Sequence, residues 1–278
     1  MFDSAPAPRL IASDIDGTFL DPNHRVSKRN RDAVLRAHQA GTHFVLATGR
    51  PYRWIAPVLD QLPLRPLCVT ANGAVLYDAD SDNVLEAHEV APGVLSHVVD
   101  IAKQAFAPHG GVSFAVERAG KSVRDPLDEL FVVDHSYSEE PVFDGFGIAA
   151  LDDLVSVPAV KLLVRNLHLS APEMYDVLAP HVDQNKAHVT YSMNEGILEV
   201  AAPGVTKAKG LDAVAQHFNV TAEQTITFGD MPNDIEMLQW AGTGVAMGNA
   251  APAVKEAADF VTTPNSESGV ANVLERWF

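Results

Sequence analysis

Short apolar runs alternate with amphipathic segments near both ends of the chain. The apolar runs predict buried strands, and the segments between them, with apolar residues at helical spacing, predict helices. The strands predicted in these two regions are 10–13, 44–47, 67–70, 225–228, 244–247 and 260–262. The predicted helices are 28–40, 51–59, 208–218, 232–239 and 252–257. This alternation indicates an α/β fold with a Rossmann-like parallel sheet and helices on both of its faces.

The middle of the chain has a different pattern. Strands are predicted here at 112–117, 130–133, 159–164, 189–191 and 197–200, and helices at 92–106 and 172–181. Because several predicted strands follow one another without a helix between them, this region favours an antiparallel α+β module. We place the module at residues 86–190, as an insertion. The flanking segments, residues 1–85 and 191–278, would then form one core domain.

The charge balance restricts the partners that this chain can bind. It has 20 Lys and Arg residues against 36 Asp and Glu residues, a formal net charge of -16. Nucleic acids and anionic membranes attract clusters of Lys and Arg, and this sequence has no such block. We therefore expect a small-molecule partner, no nucleic acid and no membrane. If that molecule is a phosphate, a metal ion and one or two well-placed cations must attract it.

Other features of composition exclude further classes. The single cysteine, Cys68, excludes an internal disulfide framework and a cysteine-rich zinc site, and its apolar neighbours predict a buried thiol. The 11 histidines show no spacing typical of zinc. Residues 1–9 do not have the pattern of a signal peptide, and no apolar run is long enough to span a bilayer. We expect a cytoplasmic protein, either a monomer or a homodimer.

The first polar cluster, Asp14-Ile15-Asp16-Gly17-Thr18, directly follows a predicted strand. Of two acids on a tight turn, one can face a metal ion and a phosphorus atom. The other can donate or accept a proton. A calcium loop beginning Asp-x-Asp does not fit, because Phe19 and Arg25 occupy its glycine and closing glutamate positions. A solvated acidic turn remains an alternative at this point.

Two further clusters could hold a phosphate. Thr48-Gly49-Arg50 follows a predicted strand, where a hydroxyl and nearby helix amides can donate to phosphate oxygens. Gly204-Val205-Thr206-Lys207 lies just before the predicted helix 208–218, where the charge of Lys207 opposes the helix dipole and therefore calls for an anionic partner. Taken alone, Thr48-Gly49-Arg50 also suits a helix cap, and Lys207 also suits a solvated surface position. Lys209 is the competing lysine.

The fourth cluster, Gly229-Asp230-Met231-Pro232-Asn233-Asp234, lies between a predicted strand and a predicted helix. Its two acids are four residues apart and can face one point, and their oxygen atoms suit Mg²⁺. An ordinary helix cap is the alternative. Ligands of open α/β sheets bind at the carboxyl ends of the strands, so the four clusters are expected to converge there.

In combination and order, these clusters resemble the four motifs of the haloacid dehalogenase superfamily, and most closely its Cof-type (subfamily IIB) sugar-phosphatase branch. The matching residues are Asp14-x-Asp16-Gly17-Thr18, Thr48-Gly49-Arg50, Lys207 and Gly229-Asp230-x-x-Asn233-Asp234. Further resemblance lies in Asn72-Gly73-Ala74, Glu199-Val200-x-x-Pro203-Gly204-Val205 and Met247-Gly248-Asn249-Ala250. The resemblance covers about residues 1–85 and 191–278. One small departure is Ala208, where the branch commonly has glycine.

The resemblance implies a phosphatase that hydrolyses small phosphorylated metabolites through an aspartyl-phosphate. Asp14 would be the nucleophile and Asp16 the general acid and base, with Thr48 and Lys207 also catalytic. It further implies Mg²⁺ as cofactor, bound by Asp14, Asp16 through its main-chain oxygen, and Asp230, with Asp234 in support. The residues expected to contact the substrate are Gly17, Thr48, Gly49, Arg50, Asn72, Lys207 and Asn233.

The insertion lies between Thr48 and Lys207, where the chain is far longer than the sheet requires. This position matches the C2 cap class of the family, and the strand-rich pattern favours its B type. From the cap, His135, Tyr137 and Lys161 could reach a substrate, although surface or packing roles suit them as well.

Two rival functions stay open at this point. A phosphomutase of the same superfamily would transfer the phosphoryl group to a sugar in preference to water. A phosphoacceptor signalling module would also combine acids, a Thr and a Lys, but Asp16 and the large insertion argue against it. The sequence does not select among sugar phosphates, flavin-pathway phosphates and pyridoxal phosphate as substrates.

Overall fold

The computed structural model describes residues 6–139 and 145–278. These residues form two compact units. The first unit runs up to Asn83 and resumes at Thr206, and the second contains Val84–Val205. None of the described helices is long and apolar enough to cross a membrane.

The described strands, in chain order, are β1 (Leu10–Ser13), β2 (His43–Ala47), β3 (Leu67–Thr70), β4 (Val75–Asp78), β5 (Asn83–Ala87), β6 (Ser113–Glu117), β7 (Phe131–Val133), β8 (Gly147–Ile148), β9 (Lys161–Arg165), β10 (His188–Thr190), β11 (Ile197–Ala201), β12 (Thr225–Gly229), β13 (Thr243–Ala246) and β14 (Phe260–Val261). The described α-helices are α1 (Lys28–Gln39), α2 (Ala56–Leu59), α3 (Pro92–Phe106), α4 (Leu127–Leu130), α5 (His135–Glu139), α6 (Leu151–Leu154), α7 (Ala171–Leu178), α8 (Lys207–His217), α9 (Ile235–Trp240), α10 (Pro252–Ala257) and α11 (Gly269–Leu274).

The strands of the first unit confirm the predicted parallel core. Their order is β14-β13-β12-β1-β2-β3-β4. All neighbours in this order are parallel except β3 and β4, which form an antiparallel pair. The first strand, β1, lies in the middle of the sheet between β2 and β12. Segments from the two ends of the chain are therefore neighbours in one sheet.

Helix α8 shows why the core segments fold as the pattern predicts. Its side chains Leu211 and Val214 are fully buried against Leu10, Val45 and Val69 of the sheet. Burying an aliphatic side chain of this size stabilises a fold by about 1.5–3 kcal/mol. The N-terminus of α8 is fixed by Thr206, whose hydroxyl accepts a hydrogen bond from the amide of Lys209 at 3.2 Å.

Two predicted helices begin differently from the pattern. The segment 51–59 contains a 3₁₀ turn at Tyr52–Trp54 before α2, and the segment 232–239 contains a 3₁₀ turn at Pro232–Asp234 before α9. In both cases a proline stands just before or within the tight turn. Proline has no amide hydrogen and favours such positions at a helix entry.

The second unit has its own sheet, with strand order β10-β11-β9-β6-β7-β8. Neighbours are antiparallel except β7 and β8, so the predicted α+β module is confirmed in type. The unit ends later than the predicted range 86–190. Strand β11 was assigned to the core by that range, but it pairs with β9 and β10 inside this sheet. The core therefore resumes at Thr206 rather than at residue 191.

Candidate active site

Polar residues of the first unit stand at the carboxyl ends of adjacent core strands. Asp14 follows β1, Thr48 follows β2, and Asp230 follows β12. Because these strands are parallel neighbours, their carboxyl ends share one edge of the sheet. Helix α8 contributes Lys207, its first residue, to the same place.

Three buried carboxylates meet at this edge. Asp14, Asp230 and Asp234 each offer one oxygen atom, and these atoms lie within 4.8 Å of one another. Like charges at such distances repel, and burial removes the water that would screen them. The cluster therefore needs positive charge close by.

Lys207 provides part of that charge. Its side chain is 1% exposed, and its Nζ donates to Asp14 Oδ1 at 2.5 Å and to Asp234 Oδ1 at 2.6 Å. Burial alone would lower the pKa of Lys207, but the two carboxylates raise it above its ordinary value, so the amine stays charged. Lys209 points elsewhere, with an exposed Nζ 3.9 Å from Asp212. The structure thus brings Lys207, and not Lys209, into the cluster.

One lysine does not balance three acids. Burial raises the pKa of Asp14 well above its ordinary value; Lys207 lowers it, and the neighbouring acids Asp234 and Asp230 raise it further. Burial, together with Asp234, also raises the pKa of Asp230 to about 7. A divalent cation between the carboxylates would reverse both effects by favouring their charged forms. The oxygen-only donor set therefore fits a divalent metal ion.

Asp234 differs from the other two acids in how its oxygens are used. Its Oδ1 accepts from Lys207, and its Oδ2 accepts from the main-chain amides of Asp230 and Met231 at 2.9 and 3.0 Å. These bonds fix both the lysine and the loop that carries Asp230. The geometry gives Asp234 a supporting position in the acidic cluster.

Gly17 and Thr18 hold the Asp230 carboxylate from the other side. The hydroxyl of Thr18 donates to Asp230 Oδ1 at 2.7 Å. Gly17 has a φ of +76°, and a Cβ atom at this position would lie 2.2 Å from Asp230 Oδ2. Only glycine can therefore occupy this place. Thr18 stood in the first motif but was not among the predicted site residues.

Asp16 is arranged quite differently from Asp14. Its side chain is 46% exposed, and both of its carboxylate oxygens accept from Arg50. Arg50 Nε lies 2.6 Å from Oδ2 and Nη2 lies 2.5 Å from Oδ1, a two-point pair. Arg50 Nη1 also donates to the carbonyl of Trp54 at 3.3 Å. Arg50, predicted to contact the substrate, is thus brought to the second acid of the first motif, a pairing that the sequence analysis missed.

Thr48 anchors the loop that carries Gly49 and Arg50. Its buried hydroxyl accepts from the amide of Arg50 at 3.0 Å. Its carbonyl accepts from the amide of Asn72 at 3.0 Å, so the loops after β2 and β3 are joined. Gly49 lies between the two hydrogen-bonded residues of this turn.

The loop after β3 has an unusual backbone. Ala71, Asn72 and Gly73 have consecutive φ values of +50°, +56° and +97°. A Cβ at Gly73 would lie 2.0 Å from the carbonyl oxygen of Thr206, the residue before Lys207. The side chain of Asn72 is buried, and its Oδ1 accepts from Asn233 Nδ2 at 2.9 Å. The two predicted asparagines therefore contact each other.

The predicted cap residues lie in the second unit. His135 is exposed at the start of α5. Tyr137 is buried, and its ring lies 5.2 Å from the Arg165 guanidinium. Lys161 is buried and its Nζ lies 3.0 Å from Glu199 Oε2.

In the first unit, the predicted burial of Cys68 is confirmed, and burial raises the pKa of its thiol.

Comparison with known proteins agrees with this geometry. A family model described as haloacid dehalogenase-like hydrolase matches residues 11–274. The chain is 30% identical to the 5-amino-6-(5-phospho-D-ribitylamino)uracil phosphatase YitU of Bacillus subtilis, over 98% of each chain. It is 31% identical to the HMP-PP phosphatase of Cronobacter sakazakii, over 97% of this chain and 95% of that protein.

A similar solved structure is a haloacid dehalogenase-like hydrolase from Bacteroides thetaiotaomicron. It has a TM-score of 0.74 and 28% identity, with 98% of this chain and all of that chain covered. The family match, the relatives and the solved structure agree with the resemblance found in the four motifs, which is therefore confirmed. The chain belongs to the haloacid dehalogenase-like hydrolase family.

Proposed function

We propose that this protein is a Mg²⁺-dependent phosphatase that hydrolyses phosphate monoesters of small metabolites, with Asp14 as nucleophile. The observation that carries the proposal is the Asp14 carboxylate at the end of β1, bound by the buried Lys207 at 2.5 Å inside a cluster of acids. A carboxylate that is buried yet held beside a cation is placed to attack an electrophilic phosphorus.

In the first step, a carboxylate oxygen of Asp14 attacks phosphorus, and the bond from phosphorus to the ester oxygen breaks. Lys207 and the Thr48 hydroxyl hold the phosphoryl oxygens, whose negative charge they offset. Asp16, protonated at this stage on one oxygen while the other still accepts from Arg50, gives its proton to the departing ester oxygen. In the second step, Asp16 takes a proton from a water molecule that attacks the aspartyl-phosphate, which releases inorganic phosphate and restores Asp14.

We assign the metal ligands to Asp14, Asp230 and the main-chain oxygen of Asp16, with Asp234 in support. When bound, Mg²⁺ supplies positive charge that keeps the buried carboxylates ionised and neutralises the phosphoryl group. Hard oxygen donors without nitrogen or sulfur favour Mg²⁺ over softer metals. The substrate-facing positions assigned to Gly17, Gly49 and Asn72 complete the set around the phosphate.

The substrate class follows from the relatives and from the charge of the site. The relatives' names cite two different phosphorylated metabolites, so the shared feature is a small phosphate ester. We propose a sugar phosphate or a similar phosphomonoester as the substrate. An overall charge of -16 disfavours a polyanionic macromolecule, whereas a small ester needs only the local charge of Lys207 and the metal.

The test is phosphate release from a panel of sugar phosphates, nucleotides and coenzyme-precursor phosphates, with p-nitrophenyl phosphate included. Each assay is run with Mg²⁺ and with excess chelator. We expect release that requires Mg²⁺ and is abolished in Asp14→Asn. The variant should keep the circular dichroism spectrum of the parent. Full activity in chelator would contradict the metal assignment, and substantial turnover by folded Asp14→Asn would move the nucleophile elsewhere.

A further inference from the structure

Asparagine side chains hold the main-chain carbonyls of the turn that contains Gly17. In each of three pairs, the Nδ2 group of an asparagine donates to one carbonyl oxygen. The pairs are Asn249 with Gly17 at 2.8 Å, Asn30 with Phe19 at 3.1 Å and Asn265 with Leu20 at 2.7 Å. Asn249 and Asn265 lie in the segments after β13 and β14, so the C-terminal part of the chain is bonded to the turn.

Asn249 differs from the other two asparagines in its exposure. Asn30 and Asn265 are buried, as a packing role requires, whereas Asn249 is exposed. Asn249 Oδ1 accepts from the amide of Asn265 at 3.0 Å, so both ends of its carboxamide bond main-chain groups. Water can replace the partners of an exposed polar group, so these bonds add little to the stability of the fold. What they determine is the position of Gly17 relative to the C-terminal segment.

Gly17 is the place where the turn needs such a restraint. It directly follows Asp16, the proposed acid and base, and its φ of +76° lies in a region that glycine both enters and leaves easily. Arg50, after β2, holds the side chain of Asp16. Asn249 holds the main chain at Gly17 from the loop after β13, which lies on the other side of β1 in the sheet. The turn is therefore bonded from both sides.

We propose that Asn249 is a positioning residue that acts on Asp16 through the hydrogen bond to the Gly17 carbonyl. This bond restricts the backbone next to Asp16 and so keeps the Asp16 carboxyl where it can protonate the departing ester oxygen. A displacement of a reacting group by about 1 Å can cost about 10²-fold in rate. The inference rests on the proposed function and adds to it a residue that the sequence placed only among the marks of family resemblance.

Kinetics of Asn249→Ala on two esters test this role. The esters are p-nitrophenyl phosphate and the sugar phosphate that the parent hydrolyses fastest. We expect kcat/KM to fall about 10-fold or more for the sugar phosphate, whose leaving oxygen needs the proton of Asp16, and much less for p-nitrophenyl phosphate. The midpoint of urea unfolding should stay close to that of the parent. Equal losses on the two esters, or no loss on either, would overturn the proposal.

Asn272→Ala is the matched control, because Asn272 bonds within the same C-terminal segment and not to the turn. Its Nδ2 donates to Thr263 Oγ1 at 2.5 Å and to the Glu267 carbonyl at 3.3 Å. This variant should keep the parent kcat/KM on both esters. If it lost as much as Asn249→Ala, the effect would belong to the segment as a whole and the role of Asn249 would fall.

A double variant shows whether Asn249 acts through Asp16. In Asp16→Asn the carboxyl that Asn249 positions is absent, so adding Asn249→Ala should cost little more on the sugar phosphate in single-turnover assays. The same fold-loss in both backgrounds would place the action of Asn249 elsewhere. Asn249→Asp keeps the size and the bond from Asn265 but replaces the donor to Gly17, and it takes the place of Asn249→Ala if the latter fails to fold.

The parent protein separates failure of this inference from failure of the proposed function. A parent that releases phosphate from no ester of the panel would overturn both. A parent that needs Asp14 for phosphate release, beside an Asn249→Ala variant with parent kinetics on both esters, would overturn only the role of Asn249.

Discussion

At the scale of single residues, the pairing of Asp16 with Arg50 changes the role expected of Arg50, which the sequence assigned to substrate contact. Asp16 is the proposed acid and base, and both of its oxygens lie on the Arg50 guanidinium. An arginine fork fixes a carboxylate in position and plane. We therefore predict that Arg50 positions Asp16 for the reaction, and that removal of Arg50 acts through proton transfer.

The leaving group distinguishes this role from phosphate binding. In Arg50→Ala, kcat/KM, which reports formation of the aspartyl-phosphate, should fall about 10²-fold or more for a sugar phosphate, whose leaving oxygen needs a proton, and much less for p-nitrophenyl phosphate. Arg50→Lys should recover little, because an ammonium group cannot form the two-point pair. Steady-state kinetics on both esters measures the difference. Equal losses on the two substrates, seen mainly in KM, would instead place Arg50 on the phosphate.

The raised pKa of Asp230 predicts how the stability of the metal-free protein and its affinity for Mg²⁺ depend on pH. Burial raises its pKa to about 7 in the folded state, above its ordinary value near 3.8. The folded protein then binds more protons than the unfolded protein between these values, so this group's contribution to stability is present at low pH and is lost as pH rises toward 7. Mg²⁺ competes with the same proton, so its affinity should rise between pH 5 and pH 8.

Titration calorimetry at several pH values, with thermal unfolding of the metal-free protein beside it, checks both trends. Asp230→Asn cannot ionise and should flatten the pH dependence of unfolding over this range. A metal affinity that is the same at pH 5 and pH 8 would contradict the assignment of Asp230 as a titrating ligand.

Sequence reasoning located most of these residues but not their pairings. Asp14, Thr48, Lys207 and Asp230 follow from their places after strands or at a helix start, which apolar periodicity locates. The bonds of Thr18 to Asp230 and of Arg50 to Asp16 join residues 212 and 34 positions apart. Such pairings depend on where side chains point within loops, and no periodic pattern encodes that direction.

At the scale of elements, the bounds of four elements were predicted to the residue. The bounds of β1, β3, α3 and α10 agree with the predicted ranges. Strand β4 was not predicted. It has only four residues, directly after the Asn72-Gly73-Ala74 turn, and these alternate between buried and half-buried. The short helices α4, α5 and α6 each span five residues or fewer, too short for a helical period to be recognised.

Helix α8 allows the assignment of its two N-terminal lysines to be tested. Lys207→Ala should reduce kcat/KM by about 10²-fold or more, because it removes the buried cation beside the nucleophile. It should also destabilise the fold by about 3–5 kcal/mol, since Asp14 and Asp234 lose their shared partner. Lys209→Ala removes an exposed side chain from the same turn and should leave both quantities nearly unchanged. Phosphate-release kinetics and urea unfolding measure the pair, and similar effects in both variants would contradict the assignment.

At the scale of the whole molecule, the order of the chain explains why the core boundaries were harder to predict than the motifs. The sheet of the first unit takes β1–β4 from the beginning of the sequence and β12–β14 from its end. Strand β11 ends shortly before the core resumes, and its apolar pattern resembles that of a core strand. Only its pairing with β9 and β10 assigns it to the second unit, and pairing partners are not visible in a single strand's sequence.

The same topology forms the acidic cluster from distant parts of the chain. Asp14 comes from the N-terminal segment, whereas Asp230 and Asp234 come from the C-terminal segment, and both segments must be folded to form the cluster. Mg²⁺ should therefore bind the folded protein and not the unfolded chain. Free ligand at 100 times its dissociation constant then stabilises the protein by about 2.7 kcal/mol.

We accordingly expect Mg²⁺ to raise the thermal unfolding temperature in a concentration-dependent way, and chelator to reverse the rise. Metal-free protein keeps three buried carboxylates around one lysine, so its first unit is under electrostatic strain that the ion removes. In Asp230→Asn one ligand charge is lost, so the metal-free variant should unfold at a higher temperature than the metal-free parent, while the rise caused by Mg²⁺ should shrink. Differential scanning calorimetry with and without Mg²⁺ measures all four values. If the variant and the parent gained equally from Mg²⁺, the ion would be binding away from the acidic cluster, and the metal assignment would fail.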